Sequence, residues 1–403
     1  MEFYGFSDIN SEIKKKNTYK YNSKNGLSYN SNNYNNLNFN NSIKKVGTSS
    51  QRNYYGYADN HNVKKNSYTE CEDIITSKIG LYNLGNTCYM NTCLQNLIHC
   101  SFFIKKLVKI NQRQKITNYT PITSEFFKLC QKLSNPKESI GDPTNFRKIF
   151  SGKHKEYKGY SQLDTQEFCR VLLEDMNYEL NEVKNPSRYK ELSTEGKSKR
   201  QCDKEFDVLF KSRENSIIID TFYGQIINIF TCKCGYETYS FQKVLDLPLL
   251  LPEGDSPNSI NNLLDEYFEG DNIQFSDKCK KCGKKTIHRK EIKISQPSNV
   301  LILSLQRINE RTQRKNLSEI KFSEKLNLKK YVDSDCGFYN ESQYELFGII
   351  CHKGKINFGH YFTFIKLGER DWYEFNDSKV SFIGREINTI STSVYALFYQ
   401  KKS

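Results

Sequence analysis

The chain has 403 residues and a formal net charge of +14, and 26% of its residues are charged, a composition typical of a soluble protein with two or three structural units. No apolar stretch approaches the roughly 20 residues that a membrane-spanning helix needs, and the N-terminus lacks the basic start and apolar run of a signal peptide. Thirteen cysteines in such a chain favour reduced thiols and metal ligands over disulfides, which predicts the cytoplasm or the nucleus as the compartment and no membrane partner.

The positive charge is spread over short lysine runs at residues 14–16, 278–285 and 329–330. The chain shows no long basic helix and no RNA-binding signature, so solvated surface lysines explain the charge better than a nucleic-acid partner does. Long-range attraction of an anionic partner stays a secondary hypothesis. Retention on RNA or DNA at low salt would test it.

The first 75 residues are predicted to form a disordered extension. Residues 1–70 contain 16 Asn and nine Tyr, with few aliphatic residues. Such a segment buries too little apolar area to offset the chain entropy that folding would cost. The folded part is therefore expected from residue 76 to residue 403.

Cys88 is a candidate nucleophile. The permissive turn Gly85-Asn86 precedes it, and apolar residues at helical spacing follow it, which predicts a helix with one buried face. These residues are Met90, Cys93, Leu94, Leu97 and Ile98. Cys88 then lies at the helix N-terminus, where unpaired N–H groups and the helix dipole stabilise a thiolate. A buried structural cysteine is the alternative, and for a lone cysteine it is the commoner case.

Residues 160–176 are predicted to contain the start of a second helix. Ser161 with Asp164 three residues later forms a weak capping-box pattern. The predicted buried stripe consists of Phe168, Val171, Leu172 and Met176. An ordinary capped amphipathic helix accounts for most of these residues, but it leaves Asp164 and Glu167 free for another task.

Two close cysteine pairs predict a metal site. Cys232 and Cys234 form one pair, Cys279 and Cys282 form the other, and a glycine that lets backbone amides turn toward sulfur follows each pair. Four thiolates so arranged match a tetrahedral structural Zn²⁺ site. Reduced cysteines in turns are the alternative. No free histidine or carboxylate motif offers an open catalytic position.

The last part of the chain contains a predicted β-hairpin around a Gly-Glu turn, with flanking runs rich in Tyr, Phe, Thr and Ile. If Arg370 pairs with Leu367, His360 faces Asp377. If Arg370 pairs with Lys366 instead, His360 faces Asn376. Either register places an imidazole beside an amide or a carboxylate.

Cys88, His360 and an Asn or Asp in this chain order form the set that cysteine hydrolases use. In such enzymes the imidazole takes the thiol proton, and the third residue holds the ring in the useful tautomer. The chain has only six histidines, so a chance match to this hairpin is improbable.

Three blocks of the sequence, residues 80–97, 160–175 and 344–377, resemble the cysteine, glutamine-aspartate and histidine boxes of the ubiquitin-specific proteases. The resemblance covers roughly residues 78–403 and ends in the family's C-terminal strand. It implies an α+β papain-like cysteine protease fold with thumb, palm and zinc-bearing fingers. The implied limits are a thumb at about 79–205, fingers at about 217–295 and a palm at about 206–216 and 296–403.

The resemblance also implies a thiol-dependent deubiquitinase, which hydrolyses the peptide or isopeptide bond after the C-terminal glycine of ubiquitin. Cys88 would be the nucleophile and His360 the general base. Asn376 would orient the histidine, and Asp377 can share or take over that task. Asn83 would stabilise the oxyanion through its side-chain amide, a contact worth a few kcal/mol of the barrier.

For substrate binding, the resemblance implies contacts to the arginine-rich tail of ubiquitin from Asp164 first and Glu167 second. Tyr361 would pack beside the tail glycines. His352 matches a second family histidine near the cleft, although an ordinary surface histidine explains it equally well. The family usually has a second glutamine where this chain has Leu163, which puts any contact made by that glutamine in doubt.

The resemblance places the structural Zn²⁺ at the tip of the fingers, although the first cysteine pair is one residue shorter than in many family members. The implied partners are ubiquitin and ubiquitinated proteins, and adaptor proteins are compatible with this function. Two rival functions stay open. A protease for another ubiquitin-like modifier would be labelled at Cys88 by that modifier's C-terminal electrophile. A non-catalytic ubiquitin-binding scaffold would bind a fluorogenic ubiquitin substrate without turnover.

Overall fold

The computed structural model describes residues 67–113, 115–117, 120–135, 137–274, 278–309, 314–338, 340–355 and 358–402. Residues 1–66, which make up most of the predicted disordered extension, lie outside the described residues. The described part belongs to one compact unit.

The α-helices of the described residues are, in chain order, α1 (Ser67–Ile75), α2 (Cys88–Ile98), α3 (Ser101–Gln112), α4 (Pro121–Leu133), α5 (Thr144–Lys153), α6 (Thr165–Leu180), α7 (Lys199–Lys211), α8 (Ile217–Phe222) and α9 (Ile260–Phe268). Short 3-10 helices span Lys155–Lys158, Lys329–Tyr331 and Ser334–Cys336. None of the described helices is long and apolar enough to cross a membrane.

The strands of the described residues are β1 (Gly80–Leu81), β2 (Ile140–Gly141), β3 (Gly224–Cys232), β4 (Glu237–Val244), β5 (Leu247–Leu250), β6 (Asn258–Ser259), β7 (Asp271–Gln274), β8 (Ile287–Gln296), β9 (Val300–Gln306), β10 (Ile308–Asn309), β11 (Arg314–Lys315), β12 (Ile320–Lys321), β13 (Lys325–Asn327), β14 (Gln343–Lys355), β15 (Phe358–Leu367), β16 (Asp371–Asn376), β17 (Lys379–Gly384), β18 (Ile390–Ser391) and β19 (Val394–Lys401).

The largest sheet has the order β17-β16-β15-β14-β19-β9-β5, and β13 pairs with β14. Its neighbours are antiparallel except β5, which runs parallel to β9. Aromatic side chains fill the core on this sheet, among them Tyr344, Trp372 and Tyr399. The sheet carries the predicted histidine hairpin in its β15 and β16 strands.

That hairpin has neither of the two predicted registers. Leu367 pairs with Asp371, so Arg370 belongs to the turn rather than to the ladder, and both expected pairings of Arg370 were wrong. The connection therefore consists of the three residues 368–370. Continuing this register would set Asn376 opposite Phe362, so His360 and Asn376 are diagonal rather than direct neighbours.

Helix α2 is enclosed between strand β15 and helix α6, and all eleven of its residues are buried. The prediction of a helix with a single buried face was therefore wrong. The polar residues of α2 are buried because they find partners on the surrounding elements. Asn96 Nδ2 donates to Thr363 Oγ1 (2.9 Å), and Gln95 Nε2 donates to the carbonyl oxygen of Ile79 (3.0 Å).

Strands β4, β3, β8 and β7 form a second, antiparallel sheet that corresponds to the predicted fingers. Helix α7 packs on this sheet across the predicted boundary between thumb and palm near residue 205. Phe206 stacks on Phe241 of β4 with ring centroids 5.7 Å apart, and Asp207 forms an ion pair with Lys243 (2.7 Å). The predicted boundary near residue 205 therefore falls inside α7, which is one continuous helix packed on the finger sheet.

Helix α1 extends the folded unit before the predicted start at residue 76. Its residues Cys71 and Ile74 are buried in the core formed by the first helices, and α1 packs against α3. The apolar pair in an otherwise polar segment explains this contact, because burying it stabilises a helix that the overall composition of residues 1–75 did not predict.

Candidate active site

Helix α2 begins at Cys88, as predicted, and a hydrogen-bonded turn leads into it. Asn83 Oδ1 accepts from the N–H groups of Gly85 (3.0 Å) and Thr87 (3.1 Å). Thr87 Oγ1 accepts from the N–H of Leu84 (2.8 Å). The side chain of Asn83 therefore shapes the turn that precedes Cys88, the predicted nucleophile.

Gly85 is required in this turn for two reasons. Its φ of +92° lies in the left-handed region, and a Cβ at this position would come within 2.6 Å of the Tyr160 ring. Arg147 fixes the same region, since its guanidinium donates to the carbonyl oxygens of Leu84 (2.8 Å) and Gly159 (2.6 Å). Nothing in the sequence distinguishes Arg147 from a surface arginine, so sequence reasoning missed it.

His360 is held by Asn376 on one side and faces Cys88 on the other. Its Nε2 lies 2.7 Å from Asn376 Oδ1, which leaves Nδ1 as the ring nitrogen for the thiol. Hydrogen bonding to Cys88 is the largest influence and raises the pKa of His360 to about 9. The hydrogen bond to Asn376 and the charge of Asp377 act in the same direction, and partial burial opposes them. The imidazole is therefore a strong enough base to hold a proton at neutral pH.

Asp377 has a different set of partners. Its Oδ2 is 4.0 Å from His360 Nε2, but it accepts a hydrogen bond from Asn83 Nδ2 at 2.9 Å. Its Oδ1 accepts from Asn91 Nδ2 (2.8 Å), and its carbonyl oxygen accepts from the N–H of Leu81 (2.9 Å). Asp377 thus joins the hairpin to α2 and to the turn at residues 83–87, which we call the cysteine turn. Asn376 makes the direct contact to the histidine.

Asn83, the predicted oxyanion donor, is exposed and has a fixed orientation. One hydrogen of its Nδ2 is used by Asp377, so the second hydrogen is the one that can reach a substrate oxygen. The arrangement is compatible with the predicted role, which stays a prediction.

Gln162 links the thumb to the strand that carries His360. Its Nε2 donates to the carbonyl oxygen of Gly359 (2.8 Å), and its Oε1 accepts from the N–H of Gly359 (2.8 Å). A Cβ on Gly359 would overlap His352 Nε2. Close packing thus surrounds the residue before His360, the predicted general base. The signal for Gln162 was present in the glutamine-aspartate box, but its partner could not be read from sequence.

Asp164 is the N-cap of α6, so the predicted capping role of Ser161 was wrong. Its Oδ1 accepts from the N–H groups of Gln166 (2.7 Å) and Glu167 (3.0 Å), which places a charged acceptor at the helix N-terminus. Its Oδ2 accepts from the hydroxyl group of Tyr395. A contact from Asp164 to an arginine of a substrate would use the lone pairs that remain, and it stays a prediction.

Glu167 lies in the first turn of α6, where desolvation of its carboxyl by neighbouring side chains, followed by the charge of Asp164, raises its pKa. Tyr361 is buried in an edge-to-face contact with Tyr395, with ring centroids 5.4 Å apart. The structure therefore brings these two predicted substrate residues to the same region as Asp164. Their roles in binding stay predictions.

His352 is not a surface histidine, because only 5% of it is exposed. Lys315 Nζ lies 2.8 Å from its Nδ1, and its ring packs on Tyr361 with centroids 4.4 Å apart. Burial, followed by the charge of Lys315, lowers the pKa of His352 to about 4. The ring is therefore neutral at physiological pH, with Nδ1 as the acceptor and Nε2 carrying the hydrogen.

The four predicted metal ligands lie together, with all their Sγ atoms within 4.8 Å of one another. The Sγ atoms of Cys232 and Cys282 are 3.9 Å apart, and those of Cys234 and Cys279 are 3.7 Å apart. Tetrahedral Zn²⁺ with Zn–S bonds of about 2.3 Å requires separations of about 3.8 Å between its ligands. The four thiols therefore lie close enough together to hold a metal ion.

Both cysteine pairs sit in similar turns. Gly235 has φ of +81° and donates its N–H to the carbonyl oxygen of Cys232, and Gly283 has φ of +69° and donates to the carbonyl oxygen of Cys279, both at 2.8 Å. The first turn connects β3 to β4, and the second precedes β8. The site is thus at one end of the finger sheet.

A family model described as ubiquitin carboxyl-terminal hydrolase matches residues 79–399. The chain belongs to this family. Ubiquitin carboxyl-terminal hydrolase 2 of Gallus gallus is 30% identical over 349 residues, which cover 82% of this chain and 95% of the relative. Ubiquitin carboxyl-terminal hydrolase Usp2 of Drosophila melanogaster is 30% identical over 374 residues, which cover 89% of this chain but only 39% of the relative. The chain thus spans well under half of the fly relative.

Solved structures share the fold. A chain from the SAGA DUB module of Ubp8, Sgf11, Sus1 and Sgf73 bound to monoubiquitin aligns with a TM-score of 0.66 and 23% identity, covering 86% of this chain and 73% of that chain. A chain from a yeast SAGA DUB module aligns with a TM-score of 0.62 and 25% identity, covering 82% and 70%. The predicted α+β protease fold and the predicted family are both confirmed.

Proposed function

We propose that this chain is a thiol-dependent deubiquitinase, which hydrolyses the peptide or isopeptide bond after the C-terminal glycine of ubiquitin. The observation that carries the proposal is the position of His360 between Cys88 and Asn376, with the imidazole basic enough to take the thiol proton. Membership in the ubiquitin carboxyl-terminal hydrolase family supports ubiquitin as the modifier.

In the proposed reaction His360 takes the Cys88 proton, and the thiolate sulfur attacks the carbonyl carbon of the terminal glycine. The carbonyl oxygen becomes an oxyanion, to which the second Nδ2 hydrogen of Asn83 can donate. His360 then gives its proton to the leaving amine as the C–N bond breaks. A water molecule, deprotonated by His360, attacks the thioester and releases the ubiquitin carboxylate and the Cys88 thiol.

The decisive experiment is labelling with a ubiquitin C-terminal electrophile. We expect the wild-type chain to form a covalent adduct at Cys88 and to cleave a fluorogenic ubiquitin substrate, and Cys88→Ala to do neither while it keeps its thermal unfolding temperature. Electrophiles made from other ubiquitin-like modifiers serve as the specificity controls. Adduct formation with another modifier but not with ubiquitin would replace the proposed substrate, and ubiquitin cleavage by Cys88→Ala would refute the proposed nucleophile.

We also propose that the four-cysteine cluster holds a structural Zn²⁺. The sulfur-to-sulfur distances support this proposal, and among the described residues the cluster consists of cysteines alone, without a histidine or a carboxylate. Bound zinc would crosslink the two turns at the end of the finger sheet. Metal analysis of the purified chain tests this proposal. About one zinc per chain is the expected result, and its loss on Cys279→Ser would assign it to the cluster.

Ubiquitinated proteins are the proposed partners. We keep the proposed limits of thumb, palm and fingers with two changes: α1 is part of the folded unit, and α7 is not divided near residue 205. Adaptor proteins are a further proposal, supported by related chains solved together with Sgf11, Sus1 and Sgf73. We infer a reducing compartment, the cytoplasm or the nucleus, because none of the thirteen cysteines is in a disulfide. Imaging of a tagged chain would test the compartment.

A further inference from the structure

Glu374 contacts the residue that orients the catalytic histidine. It lies two residues before Asn376 in β16, so both side chains are on the same face of the sheet. Glu374 Oε1 accepts a hydrogen bond from Asn376 Nδ2 (3.3 Å), while Asn376 Oδ1 is 2.7 Å from His360 Nε2. The amide of Asn376 is therefore held at both ends, by a carboxylate and by the imidazole.

The orientation of this amide decides which proton His360 carries. When Oδ1 faces the ring, it accepts the hydrogen of Nε2 and leaves Nδ1 to exchange a proton with Cys88. If the amide rotated by half a turn, its NH₂ group would meet Nε2. The ring would then have to present Nε2 as an acceptor and keep its neutral-state hydrogen on Nδ1, so that it could not take the thiol proton.

Glu374 opposes that rotation, because an ionised carboxylate only accepts hydrogen bonds and would repel Oδ1. A hydrogen bond from an amide to a charged acceptor is also stronger than one to a neutral acceptor. Glu374 forms no ion pair with another described residue that would compete for its charge. Across the neighbouring strands it pairs with Phe364 and Ser381, neither of which is charged.

We propose that Glu374 is a positioning residue that fixes the amide of Asn376 with Oδ1 toward His360 and thereby selects the imidazole tautomer that serves Cys88. The inference deepens the proposed function and rests on it. It also explains how the neutral amide of Asn376 can orient His360. A carboxylate at this position would present an acceptor in either orientation, whereas an amide must be held with its oxygen toward the ring.

The test is a double-mutant cycle between Glu374 and Asn376 with two readouts, turnover of a fluorogenic ubiquitin substrate and alkylation of Cys88 by iodoacetamide, measured on the Cys88 peptide by mass spectrometry. In the wild-type background, Glu374→Ala should lower kcat and the alkylation rate about tenfold, the size expected for one lost charged hydrogen bond, and leave KM unchanged. Glu374→Gln keeps an acceptor and should recover most of that loss.

In the Asn376→Asp background the effect of Glu374→Ala on kcat should disappear or change sign. Glu374 would then face a second carboxylate and accept from nothing, so Glu374→Ala should leave kcat unchanged or raise it. An equal loss in both backgrounds would show that Glu374 does not act through Asn376 and would overturn the proposal. Unchanged kcat on Glu374→Ala in the wild-type background would overturn it as well.

Glu369→Ala is the matched control, because it removes the same charge from an exposed position in the β15–β16 turn and should change neither readout. Thermal unfolding of each variant separates loss of fold from loss of positioning. The alkylation readout needs no substrate. If the wild-type chain failed to cleave ubiquitin while the alkylation rates still followed the predicted cycle, the proposed function would be wrong and the role of Glu374 would stand.

Discussion

The proposed catalytic cleft and the four-cysteine cluster are assembled in opposite ways. Each half of the cluster is a short turn, in which a glycine with positive φ, Gly235 or Gly283, donates its N–H to the carbonyl oxygen of the first cysteine of the pair. The geometry of each half is therefore local. The cleft joins Cys88 and His360 from distant parts of the chain, through side-chain hydrogen bonds between α2, β16 and the cysteine turn. We therefore expect changes in the cluster to alter folding and changes in the cleft to alter chemistry.

The largest expected effect is on stability, from Cys279→Ser in the cluster. Structural zinc contributes about 10–16 kcal/mol of apparent binding free energy in zinc-finger peptides at neutral pH, so loss of one ligand should destabilise the finger sheet by several kcal/mol. Thermal unfolding with metal analysis is the measurement, and we expect a clear drop in Tm together with loss of zinc. Cys88→Ala is the matched control in the cleft. Equal Tm values for the two variants would remove the distinction between the regions.

Gly359→Ala should damage the cleft without unfolding the chain. The added methyl group would overlap His352 Nε2 and push the strand that carries His360, and a displacement of about 1 Å at a catalytic group can cost roughly 100-fold in rate. Steady-state kcat/KM and Tm are the measurements. Gly152→Ala, in α5, is the control, because a Cβ there meets nothing within 4 Å and should leave activity unchanged. Full activity of Gly359→Ala would mean that the packing around this residue does not position His360.

Asn376→Ala and Asp377→Ala should differ in kind. Removing Asn376 takes away the direct contact to His360, so we expect kcat to fall about 10- to 100-fold with little change in stability. Removing Asp377 takes the acceptor from the Asn83 amide and one acceptor from the Asn91 amide, which keeps the carbonyl oxygen of Tyr82 (3.2 Å), so we also expect unfolding free energy to fall by about 1–3 kcal/mol.

Kinetics together with urea unfolding distinguishes these two outcomes. Full activity in both variants would show that neither residue is needed. A loss of stability in Asn376→Ala that matched the loss in Asp377→Ala would contradict the different roles assigned here.

The smallest expected effect is a pH dependence that comes from His352. Its pKa is about 4 in the folded chain against an ordinary value of 6.5, so the unfolded chain binds the proton more readily. The contribution of the neutral ring to stability is complete above pH 6.5 and is lost as the pH falls toward 4. Between pH 7 and pH 5.5 the expected loss is about 1 kcal/mol.

Urea unfolding of the wild-type chain and of His352→Gln at the two pH values measures this loss as the difference between them, because the raised pKa of His360 acts in the opposite direction in both chains. His352→Gln, which cannot titrate in this range, should remove that part of the pH dependence. An unchanged pH dependence in the variant would show that other groups account for it.

Sequence reasoning succeeded where the deciding interactions are close together along the chain. The start of a helix at Cys88 followed from a local turn and apolar spacing, and the cysteine pairs followed from their glycine turns. It failed at the hairpin, because Arg370 lies in the turn instead of the ladder, which changes the register while the strand pattern stays the same. It also missed the burial of α2 on every side.

By itself the sequence determined the family, the α+β fold, the candidate nucleophile and base, and the four clustered cysteines, since each depends on residue types within short motifs. Only the tertiary structure decided that Asn376 rather than Asp377 contacts His360, and that Asp377 instead holds Asn83 and Asn91. The reason is that hydrogen-bond partners depend on small differences in distance between atoms on separate elements, here 2.7 Å from His360 to Asn376 against 4.0 Å to Asp377. Spacing along the chain does not specify such distances.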